Sequence, residues 1–266
     1  MFIKRCNTKI TQVVSKPNAS NVEDFKRRIG SRFELDLDKN IYIRNESVHA
    51  EETWNCNDNG DAFPSAELKN RHMSFIGSRV TFDHNEKLEV GKVIDSVYIQ
   101  PVVSGKKVTA GDYVENFLMV DKEKAEELRP GSVSRIIAGD FTDTSMGALV
   151  AFSRCSACDH CAYTEEDYCE HITGGKNRMV TCADGSEKKV YERCFGVTFF
   201  EDSIIIPAQF GGVAGGRGAD KDAKMLDIIT ASKRDELLAG LIKWSSTLTS
   251  EQQRGFEKII DELVRG

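Results

Sequence analysis

A chain of 266 residues can bury one full core and carry an appendage, whereas two large domains would crowd it. Its 36 Lys and Arg against 42 Asp and Glu leave a formal charge of -6, which argues against work on phosphate backbones and makes nucleic acid a poor partner. No window approaches the roughly 18 uninterrupted apolar residues that span a bilayer, and the start, MFIKRCNTKITQVV, lacks the apolar core of a signal peptide; the expectation is a soluble cytosolic protein with no membrane partner.

Residues 1–40 join a short apolar start to a charged stretch, Val22 to Arg28, suited to one or two helical turns, and read as an N-terminal extension. From Ile41 the texture changes. IYIRNESVHA reads as a strand, and NCNDNGDAFP, dense in Asn, Asp and Gly, reads as a loop. SRVTFDH, EVGKVIDSVYIQPVV and KVTAGDYVENFLMVD are β-rich, the last two joined at Ser104-Gly105 as in a hairpin, so a mainly antiparallel sheet is expected. Asp121 can cap a short helix, KEKAEELR, which Pro130-Gly131 ends. CFGVTFFEDSIIIPA, rich in β-branched and aromatic residues, reads as one or two strands closing the core. Gly211 to Gly218 holds five glycines in eight residues and marks a linker at 209–222. Beyond it, at 223–266, a helical tail is expected: Leu226 to Trp244 is helix-like, and Ser250 with Gln253 forms a capping box ahead of one apolar stripe, Phe256, Ile259, Ile260, Leu263 and Val264.

Serine needs a neighbouring base to become a nucleophile, and a neutral imidazole serves at cytosolic pH. The chain has five histidines. His84 is distinguished by following VTFD at a strand end and preceding a polar loop, a rigid edge of the kind that positions a catalytic group. The serine candidate is Ser145 in AGDFTDTSMGALVAF, where Gly147 permits a sharp turn; such a turn would expose the hydroxyl and aim the N–H groups of Met146 or Gly147 at an oxyanion. Taken singly, each is also an ordinary structural residue.

Eight cysteines in a long chain without an export signal point to reduced thiols or a metal site rather than a disulfide scaffold. Cys155, Cys158, Cys161, Cys169 and His171 form C-x2-C-x2-C-x7-C-x-H, a density of soft ligands suited to tetrahedral zinc. Zinc would there order a loop, 159–177, too poor in apolar residues to order itself. Cys182 and Cys194 are left unassigned, and Cys6 and Cys56 read as incidental.

The order DH, VGKVID, SMG and FEDSIIIPA, with NGDAFPSAEL, YVENFLMVDKEKAEEL, CSACD and YCEHI, resembles the head maturation proteases of tailed phages, which are viewed as relatives of the herpesvirus assembly protease. The likeness covers about 41–208. It implies an α+β fold, a mainly antiparallel β-barrel ringed by helices, with a Cys/His-rich insert at 155–194. It implies a Ser-His centre with Ser145 in SMG as nucleophile and His84 in DH as base. For the residue that orients the imidazole it favours Glu201, the acidic residue ahead of S-x-x-x-P-A, over Glu115; Asp83 is a poor alternative because neighbours on a strand face opposite ways. It is strongest at CSAC and YCEH, which favours Cys155, Cys158, Cys169 and His171 as metal ligands, with Cys161 or His160 as substitutes. The implied substrates are scaffold proteins, the major capsid protein's disposable segment and the protease itself, met inside the assembling prohead in the host cytoplasm; catalysis itself would need no cofactor. A homo-oligomer is compatible with the sequence, which leaves the cleavage motif open. The competing reading is a non-enzymatic capsid assembly protein with a zinc-stabilised loop and a helical tail.

Overall fold

The computed structural model describes residues 1–15, 19–29, 34–105, 107–182 and 184–210. The expected tail at 223–266 and nearly all of the expected linker at 209–222 lie outside them. In chain order the strands are β1 Phe2–Val14, β2 Asn40–His49, β3 Asp61–Ala62, β4 Arg79–Phe82, β5 Asn85–Ile99, β6 Val102–Ser104, β7 Lys107–Ala110, β8 Tyr113–Asp121, β9 Asp143–Cys155, β10 Cys161–Ala162, β11 Met179–Thr181, β12 Glu187–Lys189 and β13 Glu192–Ile205. The helices are α1 Ala19–Ile29, α2 Glu51–Trp54, α3 Ser65–Arg71, α4 Lys122–Leu128, α5 Ser132–Ala138 and α6 Glu170–Thr173.

Seven strands run in the order β9-β1-β2-β8-β5-β4-β13, and β13 pairs back onto β9, so the sheet closes on itself. Closure leaves these strands no open edge along the ring. The ladders are antiparallel except β13 with β4, and the short β3 also joins β13 in parallel. The expected α+β barrel is thus a mixed one. Its interior is packed by Ile41, Ile43, Val80, Phe82, Leu118, Met146, Ala148, Val150 and Ile204, all fully buried, and Phe75 stacks on Phe199 with ring centroids 4.1 Å apart. A second cluster outside the barrel seats Phe25 and Ile29 of α1 on Tyr42 and Phe117.

The N-terminal residues are not an extension apart from the barrel. β1 lies between β2 and β9, in register from Phe2 opposite Val150 to Lys9 opposite Asp143. Its buried residues alternate as Phe2, Lys4, Cys6 and Thr8. Two of these are polar, which hid the period-two pattern of a half-buried strand. Lys4 is tolerated inside because it pairs with Glu192 and with Asp61 at 3.1 Å, and Thr8 because its hydroxyl meets that of Thr144 at 2.9 Å.

The expected hairpin at Ser104-Gly105 is present as β6–β7, with Gly105 at φ 63°. In α4 the Asp121 carboxylate accepts from the Lys124 amide at 3.1 Å; the helix stops ahead of Pro130, capped by Arg129 at φ -146° and not by a left-handed glycine, and Gly131, at φ 81°, instead precedes the next helix. A second short helix, α5, follows at once and carries Ile136 into the core.

Candidate active site

β4 and β5 are joined by two residues, Asp83 and His84, with φ of 52° and 58° and with Phe82 opposite Asn85. Positive φ at both central residues is the mark of a type I′ turn. Asp and His tolerate that conformation better than most L-residues, yet it costs roughly 1–2 kcal/mol apiece. The adjoining strand supplies the compensation. The Asp83 amide donates to Ile204 O at 3.1 Å, the Ile206 amide donates to Asp83 Oδ1 at 2.9 Å, and the His84 amide donates to Ser203 Oγ at 2.8 Å. Two sequence motifs, DH and S-x-x-x-P-A, are therefore one docked unit.

Three register relations place the candidates on adjoining strands. Ser145 on β9 lies opposite Ser203 on β13, Gly147 opposite Glu201, and Ser203 opposite Thr81 on β4. A bulge on β13 between Phe199 and Glu201 reverses the phase of the strand, so that Phe199 enters the core while Glu201 lies on the face of Ser203. An extra residue in one strand re-aims its side chains, and here it turns the Glu201 carboxylate onto the face that the His84 turn folds over. His84 Nδ1 hydrogen-bonds Glu201 Oε1, and Arg79 Nε approaches Oε2 of the same carboxylate at 3.6 Å. Donation from Nδ1 leaves Nε2 of a neutral ring as the acceptor. His84 Nε2 and Ser145 Oγ are both buried and have no hydrogen-bond partner among the described residues.

The bulge also lays the Phe200 ring over Gly147. A Cβ at that glycine would come within 2.8 Å of Phe200 Cζ and 3.3 Å of Glu201 Cβ. Gly147 thus serves close approach, not a turn. The exposed turn expected around Ser145 is absent: Ser145 lies within the unbroken strand β9, which is paired on both sides there, and it is 0% exposed. With the turn goes its way of aiming the Met146 and Gly147 amides. Glu115 belongs elsewhere, with Arg28 at 3.0 Å and Arg44 at 3.5 Å.

The cysteine insert gathers the four favoured ligands. The ligand atoms of Cys155, Cys158, Cys169 and His171 all lie within 4.8 Å of one another, and Cys158 Sγ is 3.6 Å from Cys169 Sγ. Thiolates bound at about 2.3 Å in a tetrahedron stand about 3.7 Å apart, so the donor set and its spacing fit a metal ion. Local chain geometry explains the cluster. β9 ends at Cys155, the chain reverses through a turn in which the Asp159 amide donates to Cys155 O at 2.8 Å, and Cys169 leads into α6, which carries His171. Burial pushes the Cys155 thiol up to about 12. At Cys169 burial acts in the same sense, but the Ile172 amide and the neighbouring thiols outweigh it and hold that thiol low. The substitutes are placed otherwise: His160 Nε2 meets Asp167 O at 2.7 Å, and Cys161 lies in β10 opposite Arg154. None of the eight cysteines is in a disulfide.

No family model matches the chain, and no curated protein does. Among solved structures, the capsid assembly protease gp21 of bacteriophage T4 matches with a TM-score of 0.42 and 10% identity over 77% of this chain and 97% of that one. A likeness of that degree bears on neither chemistry nor substrates.

One charged residue escaped the sequence reading. Asp202 points into the barrel, opposite in phase to Glu201, and is fully buried. It accepts from Asn116 Nδ2 at 2.8 Å, Ser47 Oγ at 2.9 Å and Asn45 Nδ2 at 3.2 Å. Burial raises its pKa to about 6 even though these donors oppose the shift. Its only sequence signal is an acidic residue inside the apolar run FFEDSIII.

Proposed function

We propose that this chain is a serine endopeptidase of phage prohead maturation, with Ser145 as nucleophile, His84 as general base and Glu201 orienting the imidazole. The observation that carries the reading is a contrast between two facing serines. Ser203 Oγ is saturated: it accepts from the His84 amide and from Thr81 Oγ1 at 3.0 Å, and donates to Thr81 O at 3.2 Å. Ser145 Oγ has no partner among the described residues, and neither has His84 Nε2, the nitrogen that Glu201 leaves free. A hydroxyl with its proton uncommitted and an imidazole with its lone pair uncommitted are what proton transfer to a base requires.

In this reading Ser145 Oγ bonds to the carbonyl carbon of a peptide while His84 Nε2 takes the hydroxyl proton. The C–N bond then breaks, and the same proton passes to the leaving amine. Water, activated by His84, resolves the acyl-enzyme. Glu201, backed by Arg79, holds the ring and stabilises its charged form. Scaffold proteins, the disposable segment of the capsid protein and the chain itself are the substrates that the sequence resemblance implies, inside the assembling prohead. Zinc on Cys155, Cys158, Cys169 and His171 would close the insert and take no part in the peptide chemistry.

The complete burial of Ser145 favours a second reading, a non-enzymatic assembly protein, because a covered hydroxyl meets no substrate until its cover moves. Expression of the wild type beside Ser145→Ala separates them. Self-cleavage fragments in the wild type alone support the protease; two identical intact chains, read by mass spectrometry, support the assembly protein.

A further inference from the structure

We infer that Ser203 is a positioning residue, whose hydroxyl sets where the His84 imidazole stands relative to Ser145; this rests on the serine endopeptidase reading of the same site. Among the described residues Ser203 is the one side chain that bonds the His84 backbone directly, at 2.8 Å, and it is also the register neighbour of Ser145 across the β9–β13 ladder. It therefore touches the base while standing beside the nucleophile. Its own hydroxyl is fixed in turn by Thr81, through Oγ1 at 3.0 Å and the carbonyl at 3.2 Å, and Ser203 is 0% exposed, so water cannot take its place without a rearrangement.

The geometry that Ser203 holds is one the chain does not adopt unaided. His84 has φ 58°, and without an acceptor for its buried amide the residue would relax toward ordinary backbone angles. Its Cα would shift and the ring would swing with it. Glu201 constrains Nδ1 only, so the displacement would appear at Nε2, the atom that faces the proton transfer. A misplacement of about 1 Å in such an arrangement costs on the order of 100-fold in rate.

The decisive pair is Ser203→Thr and Ser203→Val in the full chain, since the two replacements have nearly the same shape and differ in the hydroxyl. A fluorophosphonate probe reads the nucleophile: Ser145 Oγ bonds to phosphorus, fluoride leaves, and the hydroxyl proton goes to His84. Ser203→Thr is expected to label at close to the wild-type rate, with the same pH profile. Ser203→Val is expected to label about 100-fold more slowly, with the rise of rate with pH flattened. Equal rates for Thr and Val, compared at equal folded fraction by near-ultraviolet circular dichroism, would overturn the inference.

Nuclear magnetic resonance keeps the two readings apart. The downfield signal of the His84 Nδ1 proton on Glu201 reports the ring's position whether or not any substrate is cut. That signal should persist in Thr and be lost or moved in Val. If it is the same in Val as in the wild type, Ser203 does not position the ring, even in a chain the probe labels. If the wild type labels no faster than Ser145→Ala while the signal still distinguishes Thr from Val, the positioning stands and the endopeptidase reading fails.

Discussion

The His84 turn gathers residues far apart in sequence, the cysteine insert residues close together, and the two do so by different physics. The turn and its partners are held by strand register and hydrogen bonds on buried backbone, with His84 5% exposed and Glu201 3%. The insert has a small cluster of its own, Cys155, Ala157, Ile172 and Val190, and its ligands range from buried to exposed. A site built on a closed barrel needs no ion to form, whereas a polar loop with so small a core would gain order from a metal on its four ligands. The two are joined through β1: Tyr168, next to Cys169, stacks on Phe2 with centroids 5.4 Å apart, and Phe2 begins the strand that places Asn7 opposite Ser145.

The largest expected effects would break this comparison if they failed. Ser145→Ala should lower self-cleavage and fluorophosphonate labelling by at least about 10,000-fold with the melting temperature nearly unchanged, since the hydroxyl bonds nothing among the described residues. A melting temperature that falls sharply would mean that Ser145 is structural. Next in size, Cys158→Ser, or chelation by phenanthroline, should remove about one zinc per chain. Hydrogen exchange across 156–182 should then approach that of an open chain, with β4 and β5 unaffected and the start of β1 loosened through Tyr168. Equal loosening of β4 would show that the barrel also depends on the ion.

The difference between the regions also governs what the sequence disclosed. Local spacing disclosed a run of soft ligands between Cys155 and His171, the resemblance at CSAC and YCEH picked four of them over Cys161 and His160, and the structure gathers the same four. His84 was legible because a polar pair, Asp83-His84, interrupts two β-rich runs, although nothing in the letters announced a type I′ turn. Glu201 and Asp202 are adjacent acids, and only the bulge at Phe200 decides that one faces His84 and the other the barrel interior. Such a bulge depends on pairing with Gly147, some 50 residues away along the chain, and leaves no local pattern. The strand character of residues 2–14 was masked for the same reason, because Lys4 and Thr8 are paid for by partners distant in sequence. The burial of Ser145 follows from β9 having neighbours on both sides, a fact of topology.

Asp202 sharpens the contrast, because it gives the barrel a stability that falls as pH rises. Its folded pKa, about 6, lies above the usual unfolded value of about 3.9. Between those values the folded state binds more protons, so this group's contribution favours folding at low pH and is lost as pH rises through the window. Between about pH 4.5 and 7.5 the loss amounts to roughly 2 kcal/mol. Urea unfolding of the wild type and of Asp202→Asn at both pH values should show that difference between them. Parallel pH dependence in the two chains would mean that another group carries the titration.

The smallest effect tests the seam where the bulge meets β9. A methyl at residue 147 cannot coexist with the Phe200 ring at 2.8 Å, so Gly147→Ala should turn the ring aside at a cost of about 1 kcal/mol or somewhat more. The ring lies on the far end of a rotatable side chain, which keeps the cost modest. Glu201 Cβ, at 3.3 Å, has less freedom, and its displacement should slow labelling of Ser145 more than the stability change alone explains. Adding Phe200→Ala removes the clash with the ring but not the one with Glu201. The double variant should therefore show favourable coupling in a stability cycle and still label slowly. Full recovery of labelling in the double variant would instead make Phe200, and not the carboxylate behind it, the group through which Gly147 acts on His84.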